Sequence, residues 1–235
     1  MKRLSRPLPG PGVAAICVVA LFGAASLASA QTPAAAPPPA ALAPASSAEL
    51  DVLFAALGKS PGLLAKFREQ KRIALLAAPL KSEGTVHFDR THGLAKHGRT
   101  PSSKSVLLTS TSLSMWDGKK VENVSLATAP GLKAFADGFR MILAADRPGL
   151  EKSFEMHFFG DPNARWQLTL TPRDAGLKKA VSAIELAGTK IELSSLVVKE
   201  ANGDVTTTEF FDLNTAKKYS EAEAKDIFRV PPKLP

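Results

Sequence analysis

The sequence predicts an α+β protein, in which a large antiparallel β-sheet is apolar on one side and a single helix covers that side. Two observations predict the sheet: short segments with alternating apolar residues recur along the chain, and the turns between them are too short for parallel crossovers. A third observation predicts the helix, because one mid-chain segment places its apolar residues at helical spacing instead.

The first thirty residues have the pattern of a secretory signal peptide. Lys2, Arg3 and Arg6 precede an apolar run, and small residues end the segment at Ala30, where cleavage is expected. The run is too short for a secure transmembrane span. A lipoprotein signal would use Cys17, but Cys17 lies inside the apolar run. The predicted location of the mature protein is therefore the periplasm.

Residues 31–46 are predicted to form an extended linker, because twelve of these sixteen residues are Pro or Ala. The domain itself is predicted to span residues 47–235. Since Cys17 is the only cysteine, the mature chain has no disulfide, thiol nucleophile or thiolate metal ligand. Three cations belong to the signal, so the formal charge falls from +8 to about +5, and the remaining cations are scattered. This pattern argues against a nucleic-acid site.

The domain is predicted to open with a helix over Ala48–Leu57, capped by Ser46 or Ser47 and ended by Gly58. The spacing of apolar residues then becomes strand-like, and Asp117-Gly118 is typical of a hairpin turn. Strands are predicted at Ser82–Phe88, Val106–Thr109, Ser112–Trp116 and Val121–Leu126.

Residues Pro130 to Ala145 interrupt the strands and predict a helix. Pro130 suits a first helical turn, and Pro148-Gly149 is expected to end the helix. An ordinary core helix has the same pattern as a helix that covers a binding surface. Its apolar face consists of Leu132, Phe135, Phe139, Ile142 and Leu143.

The second half predicts further strands. Phe154, Met156 and Phe158 alternate on one face, as do Trp166, Leu168 and Leu170. Gly188 and Asn202-Gly203 are expected to separate the last three predicted strands, at Ala183–Leu186, Ile191–Lys199 and Val205–Phe211.

Motifs for catalysis are mostly lacking from the sequence. No serine lies in a nucleophile-elbow pattern, and the acidic residues form no defensible acid–base pair. His87, His92 and His97 are spaced by five residues, which is not a metal-ligand spacing, although two neighbouring strands could bring His87 and His97 together. We therefore predict no enzyme activity, no cofactor and no metal site. An apolar sheet under an apolar helix instead favours a container for an apolar ligand.

The chain resembles the LolA-type outer-membrane lipoprotein carriers of Gram-negative bacteria. The resemblance covers about residues 50 to 232 and depends on the order and spacing of several motifs. They are Phe67-Arg68-Glu69-Gln70, the segment from Pro79 to Arg90, Pro101, Trp116, the segment from Trp166 to Asp174, Asn202 to Thr206, and Phe228-Arg229-Val230-Pro231.

The resemblance implies an incompletely closed β-barrel (a half-barrel) with a helical lid over its apolar concave face. It further implies a monomeric periplasmic carrier of acylated lipoproteins or a related lipid, loaded by an inner-membrane ABC transporter and unloaded by an outer-membrane acceptor of LolB type. The family's gating arginine falls on Arg90. Two positions depart from the family: Thr91 replaces a proline, and Lys96 replaces a tryptophan.

Cargo contacts are expected from the lid and from aromatic residues of the sheet. Two other functions stay open, namely a static envelope lipid-binding or assembly module and an enzyme of lipid modification. The expected cargo-contacting residues are Leu132, Phe135, Phe139, Ile142, Leu143, Phe88, Trp116, Phe158 and Trp166.

Overall fold

The computed structural model describes residues 42–232, so the predicted signal peptide and residues 31–41 of the predicted linker lie outside the described residues. The described chain forms an eleven-stranded sheet, five α-helices and a 3-10 turn at Leu126–Thr128. The helices are α1 (Ser47–Leu57), α2 (Pro130–Ala144), α3 (Arg147–Ser153), α4 (Ala175–Lys178) and α5 (Glu221–Ile227). The strands are β1 (Gly62–Arg72), β2 (Leu80–Asp89), β3 (Gly93–Thr100), β4 (Lys104–Leu108), β5 (Ser112–Trp116), β6 (Val121–Ser125), β7 (Phe154–Gly160), β8 (Arg165–Pro172), β9 (Val181–Thr189), β10 (Glu192–Glu200) and β11 (Val205–Asn214).

The sheet is antiparallel throughout and does not close into a barrel. Its strand order is β6-β5-β4-β3-β2-β1-β11-β10-β9-β8-β7, so β6 and β7 are the two edges. This arrangement confirms the predicted α+β class and the incompletely closed antiparallel sheet. The β7 edge is partly covered, because Pro44 forms a bridge with Phe159 and the Ala45 N–H donates to the Phe158 carbonyl at 3.0 Å. Contacts with the sheet thus begin before Ser47.

Helix α1 forms where the sequence predicts it, and its N-cap is Ser46. The Ser46 hydroxyl accepts the backbone N–H of Glu49, and the Glu49 carboxylate accepts the backbone N–H of Ser46 at 2.6 Å. Such a reciprocal pair satisfies two donors that the first turn leaves open. Leu50, Leu53 and Phe54 then bury one stripe of the helix.

Helix α2 confirms the predicted mid-chain helix, but the predicted ending is wrong. The helix stops at Ala145, which adopts a left-handed conformation with φ 55°. Pro148 and Gly149 lie instead inside α3, whose N-cap Asp146 accepts the Gly149 N–H at 3.0 Å. A proline has no N–H to lose in a first turn, so Pro148 starts a new helix as readily as it ends an old one.

Two further differences concern the strands. Alternation predicts neither β1 nor β3, and in β3 this is because Gly93, Lys96 and Gly98 interrupt the apolar pattern. Gly188 does not separate two strands but lies within β9, opposite Trp166. A Cβ at Gly188 would meet the Trp166 ring at 2.4 Å, so the glycine makes room for the indole. The short helices α3, α4 and α5 were not predicted either.

Two apolar clusters fill the side of the sheet that carries α2, which we call the concave face. The first cluster joins β7–β10 to α1, α2 and α3, and the second joins β4 and β5 to the 3-10 turn and α2. Phe139 of α2 packs against both clusters. On the opposite, convex face the C-terminal segment with α5 lies over β2 and β3. Within residues 42–232, no helix is long and apolar enough to span a bilayer.

Candidate functional site

An apolar cavity of about 110 Å³ lies between the concave face and α2. Fourteen of its seventeen lining residues are apolar, and the exceptions are Glu69, Lys96 and Thr208. The apolar lining residues are Leu63, Val86, Leu94, Val106, Leu108, Leu113, Phe135, Phe139, Ile142, Leu143, Leu186, Leu193, Leu196 and Phe210.

The lining shows that the sheet curves around this cavity. Eight consecutive strands, from β5 to β9 in sheet order, each contribute at least one lining side chain. Neighbouring strands are about 4.8 Å apart, so a flat sheet would spread these side chains over roughly 34 Å. They surround one small cavity only because the sheet bends around it, as a half-barrel does.

Helix α2 lies over the cavity as a lid. The rings of Phe135 and Phe139 contact each other, with centroids 5.1 Å apart. Gly138, on the next turn, brings the helix against β7, because a Cβ there would meet the Phe154 ring at 2.8 Å. The lid therefore packs tightly at its β7 side.

Four of the nine predicted cargo residues line the cavity, and all four belong to α2. They are Phe135, Phe139, Ile142 and Leu143. Leu132 is buried in the second cluster, and Phe88 lies between the lining residues Leu63 and Leu94 without lining the cavity itself. Both support the site without forming its surface.

The structure moves the other three predicted residues away from the cavity. Phe158 and Trp166 are packed in the first apolar cluster, and the Trp166 Nε1–H donates to the Lys190 carbonyl at 2.7 Å. Trp116 pairs with Ser105, which faces His97 on the convex side. Alternation along a strand correctly shows which residues share a face. It does not show whether that face is concave or convex, or whether a residue lines the cavity or packs in the core.

A buried ion pair forms the polar part of the cavity wall, and sequence reasoning missed it. The Lys96 Nζ lies 2.6 Å from Glu69 Oε2, with side chains 15% and 3% exposed. Thr208 donates to the same oxygen at 2.8 Å, and Ser82 donates to Oε1 at 3.4 Å. The Lys96 ammonium also lies 4.6 Å from the centroid of the Phe67 ring. The sequence contains one signal for this pair: the alternation Ala65–Phe67–Glu69 places Glu69 on the same, inward face as two apolar residues.

Arg90 connects the lid to the loop after α1. Its guanidinium donates to the carbonyls of Gly58 at 2.8 Å, Ser60 at 3.1 and 3.2 Å, and Ala144 at 3.3 Å. Ala144 is the last residue of α2, so one arginine joins two helix C-termini. The planar fork of donors suits several carbonyls at once, and a cation is stabilised at helix C-termini.

His87 and His97 meet on the convex face under the C-terminal segment. Their ring centroids are 5.6 Å apart. His87 contacts the Tyr219 hydroxyl and the Thr85 hydroxyl, each at 3.1 Å, and His97 contacts the Ser105 hydroxyl and the Ile227 carbonyl, each at 3.0 Å. These neutral partners satisfy both rings without a metal. Among residues 42–232, no three His, Asp, Glu or Cys side chains are arranged to hold a metal ion.

Burial lowers the pKa of both histidines to about 4, from 6.5. The charges of His97, Lys217 and Arg99 lower the pKa of His87 further. For His97, the hydrogen bond to the Ile227 carbonyl raises the pKa and Arg99 lowers it, but burial dominates. Below pH 6.5 these histidines are therefore protonated in the unfolded chain but stay neutral in the folded chain. The stability of the folded state consequently falls as the pH drops from 6.5 towards 4.

We expect the free energy of unfolding to fall by about 2–3 kcal/mol between about pH 7.5 and pH 5.5 because of this pair. Urea unfolding at both pH values measures the loss. His97→Gln should reduce the pH dependence, whereas His157→Gln, which changes an exposed histidine on β7, should leave it intact. Equal pH dependence in His97→Gln and wild type would contradict the assignment.

Residues 41–228 match the family described as outer membrane lipoprotein carrier protein LolA-like. No curated protein matches the sequence. The chain is similar in structure to a LolA superfamily protein from Nitrosomonas europaea, with 10% identity and a TM-score of 0.41, covering 74% of this chain and 96% of that one.

Two other solved structures are similar to the chain. A DUF1329 family protein from Desulfovibrio piger has 10% identity and a TM-score of 0.42, covering 75% of this chain and 95% of that one. The lipoprotein LppX from Mycobacterium tuberculosis has 10% identity and a TM-score of 0.40, covering 74% of this chain and 96% of that one.

Proposed function

This chain belongs to the LolA-like family of outer membrane lipoprotein carrier proteins, and on that premise we propose that it is a gated periplasmic carrier of acyl chains. The observation that supports the proposal most is the apolar cavity between the curved sheet and α2. An apolar, concave site with few polar groups suits a lipid ligand. The site needs neither a nucleophile nor a metal to bind such a ligand.

The cavity is small with α2 packed against the sheet. About 110 Å³ is well below the 300–1,000 Å³ of sites that enclose a ligand. An acyl chain of about fifteen methylenes, fully buried, would gain on the order of 12 kcal/mol. Loading therefore requires α2 to move away from the sheet, and the lost lid contacts offset part of the gain. This offset makes release of the cargo possible.

Arg90 is proposed as the latch that sets this balance. Its hydrogen bonds to Gly58, Ser60 and Ala144 exist only while the end of α2 lies beside the loop after α1. They stabilise the closed, empty protein and add nothing to a state in which α2 has moved away. The departures at Thr91 and Lys96 leave this set of bonds in place, because neither residue takes part in it.

Arg90→Leu should weaken the closed state by about 1–2 kcal/mol, since several hydrogen bonds from a charged but exposed donor are lost. The variant then bears a smaller opening cost, so we expect cargo affinity to rise about 5- to 30-fold and transfer to acceptor membranes to slow. The measurement is release of a fluorescent fatty acid or acylated peptide after acceptor membranes are added.

Arg90→Lys is the matched control, because it keeps the charge but has no planar fork to reach three carbonyls. It should lie between wild type and Arg90→Leu. Circular dichroism must show that both variants keep the native fold. If Arg90→Leu releases its cargo at the wild-type rate, Arg90 does not control cargo release.

The proposed partners are an inner-membrane ABC transporter that loads the carrier and an outer-membrane acceptor of LolB type that unloads it. The alternative is a static envelope lipid-binding or assembly module built on the same cavity. Transfer distinguishes the two functions. A carrier passes labelled cargo to acceptor membranes when the two are mixed, whereas a static module keeps its ligand. Cargo that binds but never transfers would favour the static module.

A further inference from the structure

The turn between β1 and β2 exposes apolar side chains to solvent. Residues 73–80 are eight consecutive apolar residues, which we call the apolar tip. Within the tip, Leu75 is 95% exposed and Leu76 is 48% exposed. The other large exposed apolar side chains of the described chain, Val52, Val121 and Ile191, are isolated along the sequence. A contiguous exposed apolar segment of this kind marks a contact surface.

The base of the apolar tip is fixed by hydrogen bonds. The Ala74 N–H donates to Asp204 Oδ1 at 3.1 Å, and the Leu76 N–H donates to the Ile73 carbonyl at 3.0 Å. Asp204 is itself buried and lies 3.7 Å from the Lys71 ammonium. These hydrogen bonds hold the turn in a conformation that leaves Leu75 and Leu76 exposed to solvent.

Basic residues are frequent in the turns at the same end of the strands as the apolar tip. The antiparallel order places the turns at residues 72–81, 99–104, 117–120, 173–180 and 200–204 at the same end of the strands, which we call the basic end. These turns hold nine cations and four anions, and two of the anions, Glu200 and Asp204, lie beside Lys71. The nine cations are Arg72, Lys81, Arg99, Lys104, Lys119, Lys120, Arg173, Lys178 and Lys179.

We propose that the basic end contacts an anionic lipid bilayer, with the apolar tip inserted among the headgroups. A bilayer surface offers both an apolar layer for Leu75 and Leu76 and the negative charge that the cations of the basic end complement. Attraction between the basic end and the anionic headgroups brings the protein to the surface, and insertion of the apolar tip keeps it bound. This contact goes beyond the proposed carriage of acyl chains, because the protein would bind a membrane directly in addition to any protein partner.

Vesicle co-sedimentation of the mature chain tests the proposal. Wild type should sediment with phosphatidylcholine vesicles that contain phosphatidylglycerol, and added salt or vesicles of phosphatidylcholine alone should weaken the binding. The double variant Leu75→Asp/Leu76→Asp should lower the partition coefficient by about tenfold or more. The matched control Ile191→Asp changes an exposed aliphatic residue in a turn at the opposite end of the strands and should bind like wild type.

Two results would overturn the proposal. Equal sedimentation of the double tip variant and wild type would show that the tip does not insert, and loss in Phe139→Asp alone would assign vesicle binding to the cavity. Failure of wild type to bind either vesicle would assign the tip to a protein partner instead. Fatty-acid binding, which the tip variants should retain, separates these outcomes from a failure of the carrier function.

Discussion

Replacing Lys96 by Met should lower the free energy of unfolding by about 3–5 kcal/mol, because it leaves the Glu69 carboxylate buried without its cation. Glu69 is 3% exposed and would keep only the hydroxyls of Thr208 and Ser82. Methionine preserves most of the apolar stem of lysine, so the loss reports the charge and not the volume. Urea unfolding at neutral pH measures it.

The matched control removes both charges. The double variant Glu69→Leu/Lys96→Met should regain most of the lost stability, since replacing a whole buried ion pair by apolar residues of similar volume is often neutral. Its cavity wall should then be apolar apart from Thr208. If Lys96→Met alone is as stable as wild type, the charge of Lys96 does not stabilise the buried Glu69 carboxylate.

Phe139→Asp should lower the affinity for a fluorescent C16 fatty acid by about 100-fold or more, because it places a carboxylate where the acyl chain must lie. Phe139 lines the cavity and packs against both apolar clusters, so no other lid residue lies so centrally. A binding titration measures the change, after circular dichroism and urea unfolding show that the variant is folded.

Two controls separate this effect from damage to the helix. Arg140→Asp adds an acidic residue on the next position of α2, which is exposed, and should bind the fatty acid like wild type. Phe139→Leu keeps an apolar side chain and should bind nearly as well as wild type. A folded Phe139→Asp protein with wild-type affinity would place the cargo elsewhere.

The fold could largely be predicted from the sequence because its main elements have simple periodicities. Helices α1 and α2 have apolar residues at helical spacing, and β8 alternates strictly from Trp166 to Leu170. Strand β3 was missed because its inward positions include Lys96. A lysine is expected to face solvent unless a buried partner for it is known. Glu69 supplies that partner from β1, 27 residues away.

The site was predicted only in part, because periodicity identifies faces but not distances. It found the four α2 residues that line the cavity. Phe158 and Trp166 share the inward face, but they pack in the first apolar cluster and do not line the cavity under α2. Arg90 was selected by family resemblance, and its bonds to Gly58 and Ala144 depend on loop and helix ends that no periodicity specifies.

Mass spectrometry of the protein purified from its native envelope tests the carrier function most directly. Wild type should co-purify with acyl-chain lipid or acylated peptide, Phe139→Asp should lose it, and Arg90→Leu should retain more of it than wild type. Wild-type protein that carries no acyl chain, or equal occupancy in wild type and a folded Phe139→Asp variant, would contradict a lipid carrier that works through this cavity.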